Sequence, residues 1–229
     1  VFSDEEWTAI FLSLKIGTIA TLVALPVAIA VALLLARGRF PGKAVIDGLV
    51  HLPLVLPPVV TGYVLLILCG RRGVFGAFLA DWFGVVFSFR WTGAALAAGV
   101  MGFPLMVRAI RLSLETIDPR IEQAAATLGA GPLWVFATVT LPLAARGIAA
   151  GAVLAFAKSL GEFGATITFV SNIPGQTQTI PAAIYSYTQT PGGEVGALKL
   201  SIVAAVIALG ALIVSEVSVR RAGRIGEGS

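Results

Sequence analysis

Two charges and a run of hydroxyls stand where charge is costly. Lys158 and Glu162 lie four residues apart in an apolar segment from Ala145 to Val170, so on a helix they would share one face. A lone charge inside a bilayer costs at least ~2.5–3.5 kcal/mol on insertion scales, and a neutralised pair facing protein or water lowers that cost. Two readings stay open: a pair that fixes helix packing, or a face that borders a conduction path. Ser159, Thr166 and Thr168 share the segment. Their hydroxyls can hydrogen-bond a passing oxyanion, although threonine in a membrane helix more often bonds its own backbone. None of this is bond chemistry. A membrane-embedded enzyme needs His, Asp or Glu clustered at one depth, and the single histidine, His51, with scattered carboxylates does not supply that. His51 reads as a surface or interface histidine without companions for a metal. Cys69, also alone, reads as a small hydrophobe. Gly38 to Ala44 has the outline of a phosphate-binding loop, but it has one residue too few between the glycines and no Ser or Thr after Lys43. That reading is rejected, and any ATP hydrolysis belongs to a partner.

The elements that position these groups are apolar spans around one polar island, Asp118 to Pro142. Asp118-Pro119 reads as an N-cap with proline in the first helical turn, and Gly129 as the residue past the helix end. Ile121, Ala124, Ala125 and Leu128 recur at i, i+3, i+4 and i+7, an apolar stripe on a helix too short and polar to span a bilayer. Arg120, Glu122, Gln123 and Thr127 lie off that stripe.

Composition makes lipid the main solvent. Of 229 residues 57% are hydrophobic and 12% charged, where a soluble domain carries roughly 25% charged. Spans are expected at Ile16–Ala36, Leu52–Gly70, Thr92–Val107, Ala145–Val170 and about Gly196–Val214. Pro53, Pro57 and Pro58 place the start of the second helix near Pro57. Val74–Phe89 reads as an interfacial helix with Trp82 and Trp91 in an aromatic belt, and Ile180–Tyr187 as a short outer helix. With the N-terminus outside, the inner segments hold Arg37, Arg39, Lys43, Arg108, Arg111, Arg120, Arg146, Arg220, Arg221 and Arg224, and the outer ones only Arg71, Arg72, Arg90 and Lys199. That bias sets five spans with the C-terminus and the polar island in the cytoplasm. A sixth span arises if the N-terminal stretch or the Trp82 region inserts.

The island also carries a resemblance. Gln123-Ala124-Ala125, then Gly129, then Val139-x-Leu141-Pro142 resembles the EAA loop of ABC importer permeases, with Gln123 in place of the usual Glu and Val139 in place of Ile. Glu122 is a candidate for the missing carboxylate. Ser159-Leu-Gly-Glu162-Phe-Gly-Ala-Thr166, the run Ser171 to Gly175, His51 to Pro58 and Thr127 to Gly131 look like the molybdate transporter permeases, over nearly the whole chain. The resemblance implies an all-α type I importer permease fold, one domain over 1–229 with a coupling loop at about 112–143, in the bacterial inner membrane. It implies that Glu122, Gln123, Ala124, Ala125, Gly129, Leu141 and Pro142 couple to an ATPase. Lys158, Ser159, Glu162, Thr166 and Thr168 are the candidates for the translocation path. The implied partners are a second permease copy, two cytoplasmic ATPase subunits that use the ATP, and an external binding protein that delivers molybdate. No cofactor is expected in this chain, no metal and no nucleic acid. Tungstate is similar cargo, and sulfate permeases are close relatives. A secondary transporter would instead show repeated halves and coupling-ion ligands, and neither is legible.

Overall fold

The computed structural model describes residues 2–226, with side chains described through residue 213. These residues form helices and turns without a strand. Helix α1 (Asp4–Arg37) is 34 residues long, about 51 Å at 1.5 Å per residue, and so outreaches a ~30 Å hydrocarbon core. It starts well before the expected Ile16 because a capping box fixes its end. Ser3 Oγ accepts the Glu6 N–H at 3.2 Å, and Glu6 Oε2 accepts the Ser3 N–H at 2.7 Å. The N-terminal stretch therefore extends the first span and adds no sixth one.

Helix α2 (Lys43–Val55) runs through Pro53, where the sequence reading expected no helix. Pro53 falls in the last turn, so its missing N–H frees only one carbonyl, and the chain continues to Leu56 N–H bonded to Leu52 O. Pro57 and Pro58 then turn the chain by 115° into α3 (Pro58–Cys69). The expected start near Pro57 holds for α3. Helix α4 (Val74–Phe83) is ten residues, too short to span.

Helix α5 (Trp91–Thr116) is the axis of the bundle, and α1 and α8 (Leu141–Leu160) pack on it most extensively. In lipid no hydrophobic force drives helices together, so close backbone approach must do it. A Cβ on Gly102 would stand 3.1 Å from Ala155 O, and one on Gly151 3.0 Å from Met106 O. Gly147 faces Ser113 more tightly still. Buried alanines and methionines of α5 fill the two main clusters between these helices.

Between α5 and α8 lie α6 (Pro119–Thr127), α7 (Pro132–Val135) and a π-helical turn, Phe136–Thr140. The segment expected at Ala145–Val170 is not one helix. It begins at Pro132, ends at Leu160, breaks over Gly161–Phe163, and resumes as α9 (Gly164–Val170), which packs on α3. Helices α10 (Ile180–Thr188) and α11 (Glu194–Gly226) follow. The side chains of Arg220, Arg221 and Arg224 lie outside the described residues.

Among the described residues four runs are long and apolar enough to cross a membrane: α1, α5, Pro132–Leu160 and Glu194–Ile213 of α11. The bent α2–α3 pair supplies a fifth if it counts as one span.

Candidate functional site

The polar island folds as its caps dictate. Asp118 accepts the Arg120 N–H at 2.9 Å. At the other end Gly129 adopts φ +86°, with Gly129 N–H bonded to Ala126 O and Ala130 N–H to Ala125 O. This paired closure needs a left-handed residue, which glycine supplies without a Cβ clash.

Helix α6 buries no residue, and its apolar stripe stays open together with Arg120, Gln123 and Thr127. Ile121 and Leu128 are exposed, Leu128 to 89%, and Gln123 and Ala124 are exposed beside them. Leu133 and Trp134 of α7 continue the patch at 83% and 66%. Leu133 and Trp134 also open the apolar run Pro132–Leu160, so this is an apolar surface open to lipid or to a partner. Sequence reasoning missed Leu133 and Trp134. Two large apolar residues after Gly131-Pro132 in a polar island were the available signal.

Glu122 turns the other way. Its Oε1 accepts Arg37 Nη2 at 3.1 Å and the Thr140 hydroxyl at 2.9 Å. Arg37 Nη2 also donates to Ile117 O at 3.3 Å. One carboxylate thus joins α6 to the end of α1 and to the π turn, beside the end of α5. Leu141 and Pro142 have a local job as well. Pro142 has no N–H to donate, and the helix widens just before it, with Leu141 N–H reaching Phe136 O five residues back.

The charged pair forms across a break rather than along a helix face. Helix α8 ends at Leu160 and Gly161 turns the chain, so Glu162 lies beyond the helix. Lys158 Nζ still reaches Glu162 Oε2 at 2.9 Å, while Glu162 Oε1 accepts the Ala165 N–H at 2.9 Å and tethers the start of α9. Glu162 is 1% exposed and Lys158 31%. The hydroxyls are turned to backbone: Ser159 to Ala155 O at 2.8 Å, Thr166 to Phe163 O at 2.9 Å and Thr168 to Gly164 O at 2.8 Å. Ser159 and Thr166 are buried and Thr168 half-buried. A cavity of about 600 Å³ between α8, α10 and α11 opens beside this turn, lined by Leu160, Gly161, Phe163 and Tyr185 among others. A larger one, about 670 Å³ between α1, α2 and α5, is almost wholly apolar and holds none of the candidate residues.

His51 is half-buried on α2. Its Nδ1 lies 2.8 Å from Asp47 O and 3.3 Å from Asp47 Oδ1, and the Asp47 carboxylate also accepts Arg111 Nη1 at 3.0 Å, which pins α2 to α5.

A bundle of apolar helices, with a capped amphipathic helix offering its apolar face at one end, has counterparts. The family model for the binding-protein-dependent transport system inner membrane component matches residues 24–223. The chain belongs to that family. A molybdenum transport system permease protein of Escherichia coli (strain K12) is 60% identical over 228 residues, 98% of this chain and 100% of that protein. The Haemophilus influenzae molybdenum transport system permease protein is 56% identical over 225 residues, 98% of each. Among solved structures, a bacterial ABC transporter involved in import of the acidic polysaccharide alginate superposes with a TM-score of 0.74 at 21% identity, over 96% of this chain and 80% of that one. The fold is that of type I ABC importer permeases, and this inner membrane component is a non-catalytic transport subunit by family.

Proposed function

We propose that this chain is the membrane-spanning subunit of an ATP-driven importer of molybdate, working as two permease copies with two cytoplasmic ATPase subunits and an external binding protein. The observation that carries the reading is 60% identity across 98% of the chain to a molybdenum transport permease. The exposed apolar face of α6 and α7 fits a docking surface for the ATPase, with Gln123, Ala124, Ala125 and Leu128 in the contact and Gly129 closing the helix that presents it. Glu122, Leu141 and Pro142 act behind that surface. This orientation puts α6 in the cytoplasm and the N-terminus outside, as the lysine and arginine bias requires. ATP is bound and hydrolysed by the partner, and the chain itself needs no cofactor.

The cycle is alternating access. Closure of the ATPase pair moves α6, the spans rock, and a path between the permease copies opens in turn to each side. Cargo shifts that equilibrium only by its different affinity for the two states. Weak contacts along the path therefore suit release, and tight capture belongs to the binding protein. Lys158, held by Glu162, is the cation of the candidate path, with Ser159, Thr166 and Thr168 in the same stretch of chain.

The test is uptake of labelled molybdate into vesicles that contain the permease, its ATPase and its binding protein, with tungstate and sulfate as competitors. ATP-dependent molybdate uptake, blocked by tungstate and little affected by sulfate, is expected. Sulfate uptake in preference to molybdate would reassign the cargo. ATP-independent uptake driven by an ion gradient would make the chain a secondary transporter. Leu128→Glu puts a charge at the centre of the docking face and should abolish ATPase co-purification while the chain stays in the membrane. Unchanged co-purification would remove α6 from the interface.

A further inference from the structure

We infer that Arg37 is the positioning residue through which α6 moves the bundle: the Arg37–Glu122 pair, shared with Thr140, carries displacement of α6 into α1 and α8 together. The inference rests on reading α6 as the coupling helix. It assigns a role to Arg37, at the far end of α1 in sequence.

Helix α6 packs mainly on α7 and the π turn. Its tie to α1 is electrostatic, from Glu122 Oε1 to Arg37 Nη2 at 3.1 Å. The same oxygen holds the Thr140 hydroxyl in the π turn that leads into α8, and the same Arg37 nitrogen holds Ile117 O at the end of α5. Four elements meet at one guanidinium and one carboxylate. Both side chains are about three-quarters buried, at 26% and 22% exposure, so water screens the pair less than a surface ion pair. Charge-assisted bonds of this kind are stronger and more directional than apolar contact, which lets helices slide. Single π turns inside helices also recur at functional sites.

One detail gives the pair a direction of travel. Arg37 Nε is buried and bonds to no described atom, and the contact is made through one nitrogen and one oxygen. The pair is one bond short of the two-bond fork that arginine and carboxylate form when fully engaged. A small advance of α6 toward α1 would bring Glu122 Oε2 onto Nε and close the fork. The arrangement can therefore grip more tightly in a second state than in this one, as a two-state transmission element requires.

The test uses the assembled transporter in proteoliposomes with its ATPase and binding protein, and reads labelled molybdate moved per ATP hydrolysed. Arg37→Ala is expected to retain the ATPase, because the exposed face of α6 and α7 is intact, and to lower that ratio at least tenfold. The exchange Arg37→Glu with Glu122→Arg restores the pair in reverse and should recover a substantial part of the ratio, which a merely structural loss would not allow. Should Arg37→Ala fail to accumulate, Arg37→Gln keeps donors and similar length without the charge and reads the same ratio. A ratio within twofold of native in Arg37→Ala or Arg37→Gln overturns the inference, as does an assembled exchange variant that transports no better than Arg37→Ala. Leu128→Glu separates this from the underlying reading. If it leaves ATPase association and coupling intact, α6 is not the dock. If it uncouples while Arg37→Ala does not, the dock stands and the Arg37 role falls.

Discussion

Replacing Lys158 by methionine strips the partner from a carboxylate that is 1% exposed. Methionine keeps an unbranched apolar stem of similar reach, so the loss is chiefly that of the ammonium. Removing one partner of a buried ion pair costs ~3–5 kcal/mol. Lys158 remains 31% exposed and water already screens part of the attraction, so the lower end, about 3 kcal/mol, is expected. The backbone tether survives in this variant, because Glu162 Oε1 still accepts the Ala165 N–H at 2.9 Å. Adding Glu162→Gln removes the stranded charge and leaves an amide oxygen for that N–H. The double variant should therefore sit within about 1 kcal/mol of the native protein. Glu162→Ala loses pair and tether together and should exceed Glu162→Gln by about 1–3 kcal/mol, the cost of an orphaned buried N–H. Thermal unfolding of the purified protein in detergent, followed by tryptophan fluorescence, reads these values at roughly 2–4 °C per kcal/mol for a chain of this size. Lys158→Met should fall by about 6–12 °C and the double variant by no more than about 4 °C. If the losses of Lys158→Met and Glu162→Gln simply add in the double variant, the two side chains do not act as a pair, and the account of this turn is wrong.

Other substitutions test the packing and the caps. A Cβ on Gly62 would stand 2.5 Å from Ala165 O, so Gly62→Ala should part α3 from α9 and cost about 1–3 kcal/mol in the same melt. Gly48→Ala, with open space around its Cβ, should be neutral or slightly stabilising. Gly129→Val forces a branched side chain into φ +86° and should cost about 1–2 kcal/mol, fray the end of α6 and reduce molybdate uptake, while Gly129→Asn is milder. Equal uptake by the two Gly129 variants would mean that the left-handed closure does not matter to coupling. Lys199 lies 3.9 Å from Glu6, a longer contact than the 2.9 Å of Lys158 to Glu162, and Lys199→Ala should lower stability and uptake less than Lys158→Met. Equal effects would reduce the Lys158–Glu162 pair to ordinary packing.

Local signals in the sequence were reliable where a single residue type decides a backbone state. Asp118 and Gly129 bound α6 because one supplies a side-chain acceptor and the other a left-handed conformation. The same logic would have found the capping box in Ser3-Asp4-Glu5-Glu6, which the sequence reading passed over in favour of the apolar run beginning at Ile16. Proline misled at Pro53, which lies in the last turn of α2 where no helix is expected. The break at Gly161 was hidden because Lys158 and Glu162, four residues apart across it, also fit one face of a continuous helix, and the apolar runs on either side carry no signal of helix continuity.

The sequence by itself determined that the chain is solvated by lipid, that its spans surround a short amphipathic helix, and that this helix belongs at the end where lysine and arginine accumulate. Each of these follows from local composition and spacing, and the bilayer enforces them residue by residue. Only the tertiary structure decided which way the charges point. Glu122 looked like a candidate for the outer, partner-facing side and instead grips Arg37, 85 residues away, while the apolar stripe of α6 is left open. Glu162 looked like one end of a helix-face pair and instead bridges the gap between α8 and α9. Partner choice for a charge depends on which helix ends pack together, and that is settled by close contacts between elements distant in sequence, such as Gly62 against Ala165.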